Sequence, residues 1–394
     1  MLGRMTAPYP SLAPPQRTLC GPGPSDVAPS VLNALGRPTL GHLDPDFLVL
    51  MDEIRHMLRL VFGTDSEMTL PMSGTGSAGM ETCMVNLIEP GDAVLVGVNG
   101  VFGGRMAEVA ERCGARVVRV EGEWGRALEP DALRAAAAGQ SFKALCVVHA
   151  ETSTGVLQDL GSFRSLADEL GALLVVDCVT SIAGYELRFD EWGVDAAYAG
   201  TQKCLSCPPG LAPVMFSARA VDVLRGRTHK VQSWYLDLSL IADYWGQKRS
   251  YHHTAPINML YGLHEALRVA LEEGLPARAA RHQLNASALV AGLQAIGLEA
   301  RVPEAERLAP LTAIAIPEGI DDARVRRYLL EHFQLEIGGG LGPMAGNTWR
   351  VGLMGAGSTR RNVNLVLTAL QAAMADQGRI AQSDPVAAAN SMYA

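Results

Sequence analysis

The chain has 394 residues, 48% of them hydrophobic and 19% charged, and its formal net charge at pH 7 is -8. That length exceeds one simple core and implies two or three lobes. The acidic balance argues against broad binding to nucleic acid or to an acidic membrane, while leaving room for a local basic pocket that takes a small anion.

Residues 1–20 form an N-terminal segment whose prolines break any apolar core, so no signal peptide is expected. No stretch reaches about 18 unbroken apolar residues, so no membrane helix is expected either. A cytoplasmic location is the default. From about residue 90 short apolar runs alternate with amphipathic stretches. DAVLVGV reads as a strand, RMAEVAERCG as a helix ending at Gly114, RVVRV and KALCVVH as strands, FRSLADELG as a helix and ALLVVDCV as a strand. DAAYAG and LAPVMF follow as shorter strands. Strands that are apolar throughout, rather than at alternate positions, are covered on both faces. The fold class is therefore α/β, with a mainly parallel sheet.

Near residue 260 the pattern changes. LYGLHEALRVALEEG and ARAARHQLNASALVAGLQAIG read as long helices separated at Gly274-Leu275-Pro276. LTAIAI then reads as a strand, DDARVRRYLLEHF as a helix, WRVGLM as a strand and RRNVNLVLTALQAAMADQ as a helix. This division gives a large domain over 21–265, a smaller C-terminal α+β domain over 266–378, and a loosely held tail over 379–394. The seven cysteines are spread through hydrophobic runs. Cys204 and Cys207 form a Cys-x-x-Cys, but Pro208-Pro209 follow where a redox motif wants a helix start, so packing is the simpler reading. No second Cys/His pair has the spacing for a metal, and none is expected.

Four segments carry chemistry. Ser73-Gly74-Thr75-Gly76-Ser77-Ala78-Gly79 leads into the apolar helix METCMVNLI. Free N–H groups at a helix start suit a phosphate; a tight turn with a serine cap is the alternative. Asp177 tips the apolar run LLVVDCV, where an unpaired carboxylate is costly. A cofactor ring nitrogen, a helix cap or an arginine would each supply the partner. Lys203, in Ala199-Gly200-Thr201-Gln202-Lys203, stands among uncharged residues at a strand-to-loop junction. Burial there would lower its pKa and make the amine a nucleophile. Arg350 lies in Trp349-Arg350-Val351-Gly352, after a glycine-rich stretch, and its planar fork matches a carboxylate. A structural ion pair is the other reading of that arginine.

A phosphate loop, an Asp-tipped strand, a lysine about 26 residues later and a late strand arginine resemble the layout of fold-type-I pyridoxal 5'-phosphate enzymes. From Gly21-Pro22-Gly23-Pro24 to about Ala375 the chain resembles the class V alanine–glyoxylate and serine–glyoxylate aminotransferases. SGTGSAGME, HAETSTGVL, VVDCVTSIAG, GTQKCLSCPPG, YHHTAPINMLYGL and RVGLMG carry the likeness. It implies a three-layer α/β/α large domain and a smaller C-terminal domain.

It also implies residue roles. Lys203 matches the lysine bonded to the cofactor, and Asp177 the acid that keeps the pyridine nitrogen protonated. Thr75, Gly76, Ser77 and Gln202 match the phosphate contacts, Phe102 the ring stacked on the cofactor, and Thr152 a hydroxyl near its ring oxygen. Tyr251 and Thr254 match residues that reach the phosphate of a neighbouring subunit, so a homodimer with shared sites is implied. Arg350 matches the binder of the substrate carboxylate, with Gly23 and His42 on the substrate side. Two positions depart: Ser77 stands where some animal members have His, and Phe102 lacks the indole N–H of the family's usual Trp.

The implied reaction moves an amino group from alanine or serine to glyoxylate, with pyruvate as an alternative acceptor. EWG, YLDLSLIADYW and ALEEGL also resemble ureidoglycine–glyoxylate aminotransferases. Those enzymes are expected to hold the ureido group with Gln and Asn, where this chain has His42 and Tyr251. A desulfurase would need a late loop cysteine, and none follows Cys207.

Overall fold

The computed structural model describes residues 11–381 and 383–394. Its central sheet has seven strands: β1 (Thr69–Ser73), β2 (Ala93–Val98), β3 (Arg116–Glu121), β4 (Ala144–Val148), β5 (Leu173–Asp177), β6 (Ala196–Tyr198) and β7 (Leu211–Phe216). Their spatial order is β1-β7-β6-β5-β4-β2-β3. Six strands run in one direction, and β7 alone runs against them, antiparallel to both of its neighbours. Successive side chains of a strand point to opposite faces. Every residue of β4 and β5 is nevertheless buried, so helices cover the sheet on both sides and the layers number three.

A second sheet is antiparallel throughout: β8 (Leu311–Ala315), β9 (Gly338–Gly339) and β10 (Thr348–Gly352), with β10 in the middle. Helices Leu275–Ala295, Asp322–Phe333 and Arg360–Ala375 enclose a separate core around Trp349, whose indole N–H donates to Asp322 at 3.0 Å. The same alternation that buries Trp349 sends the next side chain, Arg350, to the opposite face, toward the large sheet.

Two parts of the chain differ from expectation. Thr18–Leu19 pairs in parallel with Leu335–Glu336, and Cys20 joins the Trp349 core, so the end of the N-terminal segment is built into the smaller unit. Part of the stretch after Gly378, expected to be loose, is docked among the described residues. Its helix Pro385–Asn390 buries Ala389 completely against that core, and Tyr393 Oη donates to Asn285 at 2.6 Å. Composition hid this docking because its contacts are a few small residues and side-chain polar groups. The seven cysteines are all buried and free, as the packing reading requires. No described helix is long and apolar enough to cross a membrane.

Candidate active site

Parallel strands end on one edge of a sheet, and their following loops converge there. Asp177 closes β5, Tyr198 closes β6, and the loops after β2 and β4 deliver Phe102 and Thr152. One cavity is lined by Thr75, Gly76, Ser77, Phe102, Thr152, Asp177, Gln202 and Lys203. Residues up to 128 positions apart in the chain thus meet, the span from Thr75 to Lys203.

Lys203 is 7% exposed, and its Nζ donates to the carbonyl of Pro22. Residues 22–25, just after the N-terminal segment, grip the lysine loop at two further points, Ser25 N–H to the Gln202 carbonyl at 2.9 Å and Ser25 Oγ to the Lys203 carbonyl at 2.7 Å. Gly23 has φ of 107°, and a Cβ there would sit 2.6 Å from Nζ. The positive φ favours glycine, and a side chain there would displace the amine. Burial, helped by the Arg350 charge, lowers the Lys203 pKa to about 8. The free amine therefore grows as pH rises through that value. In cofactor-free protein, Lys203 is expected to react with an amine reagent with a midpoint near pH 8. Pulsed labelling read by mass spectrometry checks this. A midpoint near that of a solvated lysine, about 10.4, would place the side chain in water.

Asp177 is 3% exposed and accepts from Val179 N–H at 2.9 Å and from Tyr198 Oη at 2.8 Å. Burial drives its pKa up to about 7 against these two donors, and the Glu151 carboxylate adds to the rise. A cationic group placed in the cavity would restore the anion. The carboxylate thus suits a protonated ring nitrogen.

The phosphate-type loop also has the right form. Helix Gly76–Leu87 begins at Gly76, four residues before the expected Met80, and lacks both a side-chain cap and an acid in its first turn. Its free N–H groups and positive dipole end face the cavity side. Gln202 Oε1 is buried with no hydrogen-bond partner. An amide turned over would offer N–H groups to an anion at the same place. Phe102 lies in the first turn of helix Val101–Arg112, and the Arg105 guanidinium stands 5.2 Å from its ring centre.

Arg350 donates from Nε to the Gly339 carbonyl at 2.7 Å and from one terminal nitrogen to the Thr152 carbonyl at 3.1 Å. No described carboxylate lies within salt-bridge distance of it, and burial lowers its pKa. A buried, unpaired guanidinium is costly and is relieved by an incoming carboxylate.

Glu151, Tyr198 and Pro22 were missed at the sequence level. Glu151 is buried and accepts from the Phe102 and Gly103 N–H groups at 3.1 and 3.4 Å and from Ser153 N–H and Oγ at 3.0 and 2.6 Å. It therefore ties the helix carrying Phe102 to the loop carrying Thr152. A Cβ on Gly100 would fall 2.4 Å from the Glu151 side chain, so that glycine makes the approach possible. The acid within HAETSTG was the available signal. His42, Tyr251 and Thr254 do not line this cavity. The His42 and Tyr251 rings lie 5.0 Å apart, and the exposed Tyr251 hydroxyl is 3.3 Å from that of Thr254.

The family described as "Aminotransferase class-V" matches residues 30–349. Alanine–glyoxylate aminotransferase of Drosophila melanogaster is 40% identical over 365 residues, covering 91% of this chain and 93% of that protein. (S)-ureidoglycine–glyoxylate transaminase of Bacillus subtilis is 39% identical over 381 residues, covering 92% of each. A crystal structure of alanine–glyoxylate aminotransferase from Nostoc sp. superposes with a TM-score of 0.92 at 46% identity, covering 93% of this chain and 98% of that one.

Proposed function

The chain belongs to the class V aminotransferases and has their fold-type-I architecture, and on that premise we propose that it transfers the amino group of alanine or serine to glyoxylate, yielding glycine and a 2-keto acid. The observation that carries the reading is the meeting, in one cavity wall, of a buried amine at Lys203 and a buried acid at Asp177, with the unpaired Arg350 held to Thr152 beside them.

In this reading Lys203, Asp177 and Phe102 would hold the pyridine end of pyridoxal 5'-phosphate, and Thr75, Gly76, Ser77 and Gln202 would hold its phosphate. When bound, the cofactor supplies an electron sink for charge developing at the substrate Cα. Arg350 holds the carboxylate of amino donor and keto acceptor in turn, so one site serves both. Lys203 Nζ would take the substrate Cα proton as general base and return it as general acid. A pKa near 8 suits both roles. Asp177 keeps the ring nitrogen's proton in place. Phe102, which lines the cavity, would cover one ring face and limit the access of water.

Tyr251 and Thr254 are exposed away from their own cavity, which supports a homodimer in which they complete the partner's phosphate site. The enzyme is read as cytoplasmic.

A spectral screen tests the donor. Alanine or serine should convert the visible band of the loaded enzyme to the pyridoxamine form, and glyoxylate should reverse it. Failure with every amino acid tried would sink the proposal. The likeness to the Bacillus subtilis enzyme favours ureidoglycine as a second donor. Against it stand His42 and Tyr251, in ring contact where a Gln and an Asn are expected. Conversion by ureidoglycine alone would decide for that second reading.

A further inference from the structure

We propose that Tyr198 is a positioning residue that acts through Asp177, aiming that carboxylate at the ring nitrogen of a bound pyridine cofactor. The inference rests on the cofactor reading above. It starts from strand register. β5 and β6 are parallel neighbours in which Asp177 and Tyr198 are direct partners, so their side chains leave the same face at the same level. The Tyr198 hydroxyl donates to Asp177 Oδ2 at 2.8 Å while Val179 N–H holds Oδ1 at 2.9 Å. Two donors on different oxygens fix the plane of the carboxylate. Each oxygen keeps a lone pair for a third donor.

Tyr198 is itself locked. It is fully buried, and its neighbour across the helix Gly76–Leu87 is Gly79, where a Cβ would lie 3.0 Å from the Tyr198 Cβ. The absence of a side chain at Gly79 lets the helix approach the strand closely at Tyr198. Burial and the adjacent Asp177 charge push the phenol well above its usual range, so it stays a donor at any physiological pH. A neutral donor is what this acid needs. Desolvation favours the neutral carboxyl, which could not pair with a ring cation. The hydroxyl opposes that loss without adding a competing positive charge. The other charged or titratable groups facing the pair include Lys203 on the loop after β6, Glu151 after β4, Cys83 on the helix above, Cys146 within β4 and Cys178, which follows Asp177. All five remain in a Tyr198→Phe protein, which removes one oxygen atom and little else.

The test is a double-mutant cycle on cofactor affinity, measured by fluorescence quenching as pyridoxal 5'-phosphate is added to stripped protein. Wild type, Y198F, D177N and the double variant are compared, each first shown folded by circular dichroism. Y198F is expected to weaken binding by about tenfold, the scale of one hydrogen bond to a charged acceptor. In the D177N background the same change should cost less than about twofold, because the partner is already gone. The pH below which affinity falls should rise by about one unit in Y198F, and this shift should vanish in the double variant. Y198F binding like wild type would overturn the proposal. So would a tenfold loss that persists without Asp177, since Tyr198 would then act by packing. D177N binding like wild type would instead overturn the cofactor assignment, and the Tyr198 inference with it.

Discussion

Lys203→Ala is expected to lower turnover of alanine with glyoxylate by about 10⁴-fold, the upper range for a lost general acid–base group, and to abolish the visible band of the lysine-bound cofactor. Burial has already brought the amine to a pKa of about 8, so it is poised to accept and return a proton near neutral pH. No other described lysine lines the cavity. The loss should therefore be only weakly recovered by external amines, and cofactor should remain bound reversibly through the phosphate loop. Steady-state kinetics with a parallel absorption spectrum checks this. Turnover within tenfold of wild type would remove Lys203 from the chemistry.

The second large effect is expected at Arg350. Removing its fork in Arg350→Ala deletes two charge-assisted hydrogen bonds to a carboxylate, each worth about 1.5–3 kcal/mol. kcat/KM should fall by about 100-fold or more for both the amino donor and the keto acceptor. Most of the change should appear in KM, because the carboxylate is held equally in ground and transition states. Arg350→Lys keeps charge but not the planar fork, and should recover only part of the loss. The protein should tolerate the change, since the arginine gives up only contacts to the Gly339 and Thr152 carbonyls. Unchanged KM for both substrates would place the carboxylate elsewhere.

Much of the site was legible before the fold was seen, for one reason. A charge set among uncharged residues violates local patterning: Asp177 and Arg350 do so within apolar strands, and Lys203 at a strand-to-loop junction. Their partners left no such mark. Glu151 lies 49 positions from the Phe102 N–H that it receives, and Pro22 lies 181 positions from Lys203. Tyr198 looked like one more apolar residue of a short strand. Nothing local distinguishes such residues from packing until the chain returns.

From about residue 90 onward the amino-acid sequence by itself determined most element types and marked the three charged groups, because periodicity and misplaced charge are local properties; the helix Pro45–Phe62 and the strand Thr69–Ser73 went unread. Only the tertiary structure decided which strand register sets Tyr198 beside Asp177 and how residues 22–25 reach across to clamp the lysine loop. It also docked the last helix and kept His42, Tyr251 and Thr254 out of their own cavity. Those outcomes depend on contacts between residues far apart in the chain, whose energies exist only once the backbone has brought them together.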